Sequence, residues 1–284
     1  MSLSKEEIRE QLIRLFHETD GNTVTGEDAL PGCEGLIIYE EPIFGFASAS
    51  DPLFERFHDK SVIGEPYRDP GQWLSDAMTV ISFFLPFTED VRKANRIDRE
   101  ITANEWLHGR IEGQQFLNTY TEKCRDWFTD RGLNACAPAV DGRFSKTMRP
   151  FQKGDPSRLG LHFASAWSER HAAYAAGLGT FSLTRGLISE KGVAGRYGSL
   201  IVSENIEPDL RSYTGIYDNC IRCGACIKRC PANAISLKRG KDQLRCSTWV
   251  LSSKKKYAPR YGCGKCQVGV PCESRNPSKG KNNA

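Results

Sequence analysis

Long apolar runs are missing from this chain: none of its 284 residues belongs to an uninterrupted stretch of about eighteen, which argues against a membrane span. The first residues, MSLSKEEIREQL, contain neither an apolar signal segment nor a twin-arginine pair, so a cytoplasmic location is expected. No G-x-x-x-x-G-K-S/T phosphate loop, no G-x-S-x-G elbow and no H-E-x-x-H pair occurs, which leaves hydrolase chemistry without footing. GLGTFS, Gly177 to Ser182, imitates a dinucleotide fingerprint, but Ser182 replaces the third glycine and the stretch follows a helical pattern. A Rossmann site is therefore excluded. Internal repeats and long low-complexity segments are also absent.

Cysteine, by contrast, is abundant. Eleven are present, and their placement is uneven: Cys33, Cys124 and Cys136 are scattered, while eight crowd between Cys220 and Cys272. A disulfide scaffold would spread its bridges, so metal is the expected use. The three scattered thiols read as small buried hydrophobes, Cys124 sharing a helix face with Tyr120 and Trp127. Trp73, Trp106 and Trp167 read as core.

Cys220, Cys223, Cys226 and Cys230, followed by Pro231, match the C-x2-C-x2-C-x3-C-P run of bacterial ferredoxins. In that run three thiolates on one tight loop hold one cubane and the fourth points to a neighbouring cluster. Zinc would want two separated pairs of ligands. By ferredoxin logic one 4Fe–4S cluster takes Cys220, Cys223, Cys226 and Cys272, and the other takes Cys230, Cys246, Cys263 and Cys266.

The charge is polarised along the chain. Residues 236–284 hold twelve Lys or Arg against Asp242 and Glu273, so this segment carries +10 of a net +4 and the preceding residues carry −6. Two oxidised cubanes with four thiolates each bring about −4, which the basic surplus would offset. SSKKKYAPRYGCGK, with Tyr257 and Tyr261 interleaved, also admits a nucleic-acid reading or a plain solvated surface.

The rest reads as an α+β fold. Ser4 and Glu7 open an amphipathic helix through Ile8, Leu12, Leu15 and Phe16 that ends at Gly21. Thr79 to Phe87 is an apolar buried strand, and one helical period runs from about Asn104 to Asp130. A short helix starts at Ser168, and two strands, around Leu187 and from Leu200 to Ser203, flank a Gly-rich turn. NIEPDLRSYTGIYDN is a candidate linker and the last ten residues a candidate loose tail. The expected organisation is a mixed core over 1–205 and a C-terminal ferredoxin module with two 4Fe–4S clusters over 206–284.

SERHAAYAAGLGTFSLTRGLISEKGVAGRYGSLIVSE, then the ferredoxin run, then LRCSTWVL and YGCGKCQ, resembles epoxyqueuosine reductase over roughly Ser168 to Cys272. That cobalamin-dependent family is related to the reductive dehalogenases. The matching features are Glu169-Arg170 on the helix and the Ala-Gly-Leu-Gly turn of Ala176 to Gly179. The resemblance implies a cobalamin-binding core and a corrinoid, without a histidine ligand, between core and cluster module. The near cluster would reduce its cobalt to Co(I). It implies corrinoid contacts at Thr180, Ser182, Thr184, Arg185 and Gly186, for which ordinary turn chemistry is the alternative.

Three departures stand out. The family's acidic proton donor falls at Phe163, beside His162, which becomes the candidate donor. Tyr174 is a second candidate, by similarity to related dehalogenases, against a packed aromatic. Five residues, QVGVP, separate Cys266 from Cys272 where the family has three, and the helical-repeat extension that helps hold tRNA is missing. The expected function is a cobalamin-dependent iron–sulfur reductase drawing on a ferredoxin or flavodoxin and acting on tRNA or a small molecule. The alternatives are a non-catalytic electron-transfer protein and an RNA-interacting protein with structural clusters.

Overall fold

The computed structural model describes residues 3–150 and 161–279. The strands in chain order are β1 (Ile43–Ser48), β2 (Thr79–Pro86), β3 (Ala135–Cys136), β4 (Lys146–Pro150) and β5 (Leu161–Ser165). They continue with β6 (Thr180–Phe181), β7 (Leu187–Ile188), β8 (Gly195–Val202), β9 (Ile235–Ser236) and β10 (Gly240–Lys241). The helices are α1 (Lys5–His17), α2 (Pro52–Arg56), α3 (Pro70–Trp73), α4 (Glu89–Ile97) and α5 (Asn104–Arg110). After them come α6 (Glu112–Thr129), α7 (Glu169–Ala175), α8 (Ala225–Arg229), α9 (Gln243–Ser252) and α10 (Lys254–Tyr257).

An antiparallel sheet in the order β1-β2-β8-β3 forms the centre. All eight residues of β2 are buried, because helices cover both faces of the sheet. Ile81, Phe83 and Leu85 join Ile8, Leu12, Phe116 and Tyr120 of α1 and α6 in one cluster. Val80, Ala47 and Ile201 meet Ala172 to Ala176 and Trp167 in another. This is an α+β layering.

Local chemistry accounts for the elements. Ser4 Oγ accepts from the Glu7 amide (3.2 Å) while Glu7 Oε2 accepts from the Ser4 amide (2.8 Å), closing the capping box of α1. The long helical period is split: Ile111 (φ −99°, ψ −68°) separates α5 from α6. The adjoining Gly109 and Gly113 weaken the helix and lie against the Phe87 ring and Tyr39, where a Cβ would come within 2.7 and 2.8 Å. The strands around Leu187 and Leu200 do not pair with each other. β7 pairs with β6, and β8 enters the central sheet between β2 and β3. Hydropathy finds strands but not their partners.

The candidate linker is docked: Asp209 accepts from Lys5 Nζ at 2.7 Å and from the Phe46 amide at 3.1 Å. Of the candidate tail, residues 280–284 lie outside the described residues. Asn276 Oδ1 accepts from Ser278, and Pro277 packs against the Cys220 loop. Cys33, Cys124 and Cys136 are buried, as are Trp73, Trp106 and Trp167. Among the described residues no helix is long and apolar enough to cross a membrane.

Two anchors tie the cysteine-rich segment to the core. Lys265, with no solvent exposure, donates from Nζ to Asn95 O (3.0 Å) and Oδ1 (2.7 Å), and Asn95 Nδ2 donates to Cys263 O (2.9 Å). Glu273 is buried against Arg96 (Nη2 to Oε1, 2.6 Å) and near Arg92 (3.7 Å), and accepts from the Gly269 amide (2.7 Å). Its carbonyl accepts from the amides of Val193 (3.2 Å) and Ala194 (3.1 Å).

Glu273→Ala leaves the Gly269 amide without its acceptor and takes one partner from Arg96, which keeps Glu89, so the expected loss is roughly 1–3 kcal/mol in urea unfolding. Glu41→Ala, which breaks an exposed pair with His17, should cost under about 1 kcal/mol.

Candidate functional site

The Cys220 loop is curled by left-handed backbone at Arg222 (φ 51°) and Gly224 (φ 74°), which leads into α8. The curl brings Cys220, Cys223 and Cys226 to one narrow cleft, and Cys272 reaches it from the far end of the chain. Cys230, at the C-terminal cap of α8, faces a second cavity of about 190 Å³ with Cys246 from α9 and Cys263 and Cys266 from the last turn. Between those last two, Gly264 (φ 66°) runs so close to Trp106 that a Cβ would sit 2.0 Å from the indole ring. All eight thiols are free of disulfides.

The electrostatics of the two quartets are alike. Burial pushes the Cys226 thiol to about 11, aided by Cys220 and Cys223, while backbone amides at Cys226 and Ile227 pull it back. Burial likewise raises Cys272 and Cys266 to about 12, and repulsion from the other cysteines of each quartet adds to it. The Ala234 amide donates to Cys230 Sγ at 3.3 Å. Crowded thiols with amide donors fit an iron–sulfur cluster, whose cationic irons would favour the thiolate forms. Arg110, Arg196 and Lys241 line the second cavity, with Arg110 4.3 Å over the Tyr261 ring. Their charge complements the thiolates.

A third and larger cavity, about 560 Å³, lies between α7, the β6–β7 turn, α2 and the cysteine segment. It touches both quartets' surroundings, sharing Ser182 with the first and Lys241 with the second. Tyr174 and Phe163 line it, Phe163 being 44% exposed. His162 lies in β5 opposite Arg149; its side chain falls outside the described residues. Of the candidate corrinoid contacts, Ser182 and Arg185 reach the cavity. Thr180 is fully buried and accepts from the Asn219 amide (2.8 Å). Thr184 and Gly186 close the turn through a 3.1 Å amide-to-hydroxyl bond, with Ser182 Oγ 2.8 Å from Thr184 Oγ1. Those three serve the loop.

α7 presents its residues in different directions. Burial keeps the Tyr174 hydroxyl above its usual range, so it stays protonated at neutral pH. His171, whose Nδ1 is 2.7 Å from Ser168 Oγ, is pushed down to about 3 by burial and by Arg170, so it is neutral. Glu169 and Arg170 do not pair with each other. Arg170 Nη1 donates to the Arg185 carbonyl (2.7 Å) on the cavity side, while Glu169 Oε2 accepts from Ser199 Oγ (2.6 Å). Arg56, Phe57 and Lys241, also on the wall, carried no linear signal because only the fold brings them there.

Glu169 Oε1 is buried without a partner among the described residues, and burial lifts the carboxyl from 4.5 to about 8 against the pull of Ser199 and Trp167. Between those values the folded chain keeps a proton that the unfolded chain has released. Stability is therefore undiminished below the window and falls as pH rises through it. Wild-type unfolding free energy should drop by up to about 1.4 kcal/mol per pH unit across this range, and Glu169→Gln should flatten that slope.

Residues 213–236 match the 4Fe-4S binding domain family. No curated protein matches the chain. Among solved structures, epoxyqueuosine reductase with an epoxyqueuosine-modified tRNA stem loop aligns at 16% identity and TM-score 0.50, covering 94% of this chain and 66% of that one. A catabolic reductive dehalogenase aligns at 15% identity and TM-score 0.52, covering 97% of this chain and 37% of that one. A reductive dehalogenase structure described for B12-dependent dehalogenation gives 15% identity, TM-score 0.50 and the same coverage. The chain thus spans about two thirds of the first and little more than one third of the others. It has the fold shared by epoxyqueuosine reductases and reductive dehalogenases, with a 4Fe–4S binding segment built into it.

Proposed function

We propose that this chain is an iron–sulfur reductase in which two 4Fe–4S clusters deliver electrons to a corrinoid bound in the large cavity. Cys220, Cys223, Cys226 and Cys272 would hold one cluster, and Cys230, Cys246, Cys263 and Cys266 the other. The observation that carries the reading is the cavity's position: it touches the surroundings of both quartets through Ser182 and Lys241. The fold, and the B12 dependence attached to one dehalogenase of that fold, support the corrinoid. When bound, the clusters would supply single electrons at low potential and the corrinoid a reducible cobalt centre.

The chain's own groups divide the remaining work. Phe57, Phe181 and Ile63 give the cavity apolar surface, and Ser182 and Arg185 offer polar contacts to a bound group. Tyr174 holds a proton at neutral pH and is the donor we assign; neutral His171 is a poor acid. The exposed run Lys254 to Lys256, between Cys246 and Cys263 in the chain, suits an acidic electron donor such as a ferredoxin or flavodoxin.

Anaerobic reconstitution with iron and sulfide should give about eight irons per chain, and Cys226→Ser or Cys263→Ser should each remove roughly half. Hydroxocobalamin should co-elute with the protein on gel filtration and, after reduction, give a Co(II) EPR signal of the form lacking a lower nitrogen ligand. A protein that binds iron but loses all corrinoid on the column supports electron transfer to a partner enzyme instead.

A further inference from the structure

We propose that the large cavity takes a small organic anion, a carboxylate or phosphate group on an aromatic or apolar body, as its substrate. The proposal rests on the cavity's assignment above and concerns what shares it. Arg56, Arg170, Arg185 and Lys241 line the wall, and among the described residues no Asp or Glu does. None of these four forms an ion pair with a described residue, although ion pairs are frequent elsewhere in the chain. Two are held together: Arg170 Nη1 donates to the Arg185 carbonyl at 2.7 Å, and Arg185 sits at φ 59° in the intervening turn.

Like charges in such a position repel unless an anion joins them. Arg170 stays exposed where it lines the cavity, so its guanidinium is open to a ligand, and the neighbouring charges of Arg185 and Arg196 act against its own. A corrinoid offers mainly neutral amides and one phosphodiester, fewer negative charges than the wall has positive. The lining also holds aromatic rings, those of Phe57, Phe163, Tyr174 and Phe181. Phe163 is 44% exposed, and its ring supplies apolar surface for a ligand where a carboxylate would have repelled the anion. Guanidinium forks recognise carboxylate and phosphate through charge-assisted bonds, and the ring faces take the body of the molecule.

Binding can be read without turnover. Cluster-loaded, anaerobically purified protein would be titrated with benzoate, phenyl phosphate and neutral benzamide, followed by saturation-transfer NMR. The anions should bind about tenfold or more tightly than benzamide. Arg170→Gln and Arg56→Gln should each weaken them about fivefold, Arg56→Lys should recover part of the loss, and circular dichroism should stay unchanged. Equal binding of benzoate and benzamide would overturn the proposal, as would full affinity in a folded double Gln variant. The visible spectrum of the same samples reads corrinoid retention separately. Anion preference without corrinoid keeps this proposal and sinks the cobalamin reading; corrinoid without anion preference does the reverse.

Discussion

The carboxylate of Glu273 is the contact on which the arrangement of the cysteine segment depends. Cys272 is separated from Cys226 by forty-six positions, yet it must return to the same cleft. Glu273, the next residue, fixes that return: its side chain is clamped by Arg96 and the Gly269 amide, and its carbonyl by the amides of Val193 and Ala194. A desolvated charge held in this way tolerates few alternative positions, because any displacement leaves a buried ion unpaired. The second quartet has its own anchor in Lys265 and Asn95. Both anchors reach α4, so one helix of the core sets the placement of both sets of thiols.

That placement gives the large cavity its character. Its walls come from α2 and α7 on the core side and from Lys241 and Gln243 on the cysteine side. Its lining is both aromatic and cationic, and Oε2 of Glu169, on α7, accepts from Ser199. The proton inventory follows from burial: the tyrosine is kept protonated and the histidine neutral.

Much was legible from the residues. Capping chemistry announced α1, apolar character announced β2, and the spacing of Cys220 to Cys230 pointed to iron before any fold was known. These are local signals, set by neighbours within a turn or a strand. The break at Ile111 was not legible, because it comes from two glycines pressed on aromatic rings that lie elsewhere in the chain. Nor was the separation of β7 from β8, since strand pairing is chosen by the surfaces that sheets bury.

The sequence by itself therefore determined the elements, the metal-binding character of the cysteines and the basic bias of the C-terminal segment, since each depends on residue type and short spacing. Tertiary structure decided that Thr180, Thr184 and Gly186 serve a turn while Ser182 and Arg185 reach the cavity, and that Arg56, Arg170 and Lys241 meet around one space. Residues so far apart in the chain are related only through packing and buried ion pairs, which no local pattern encodes.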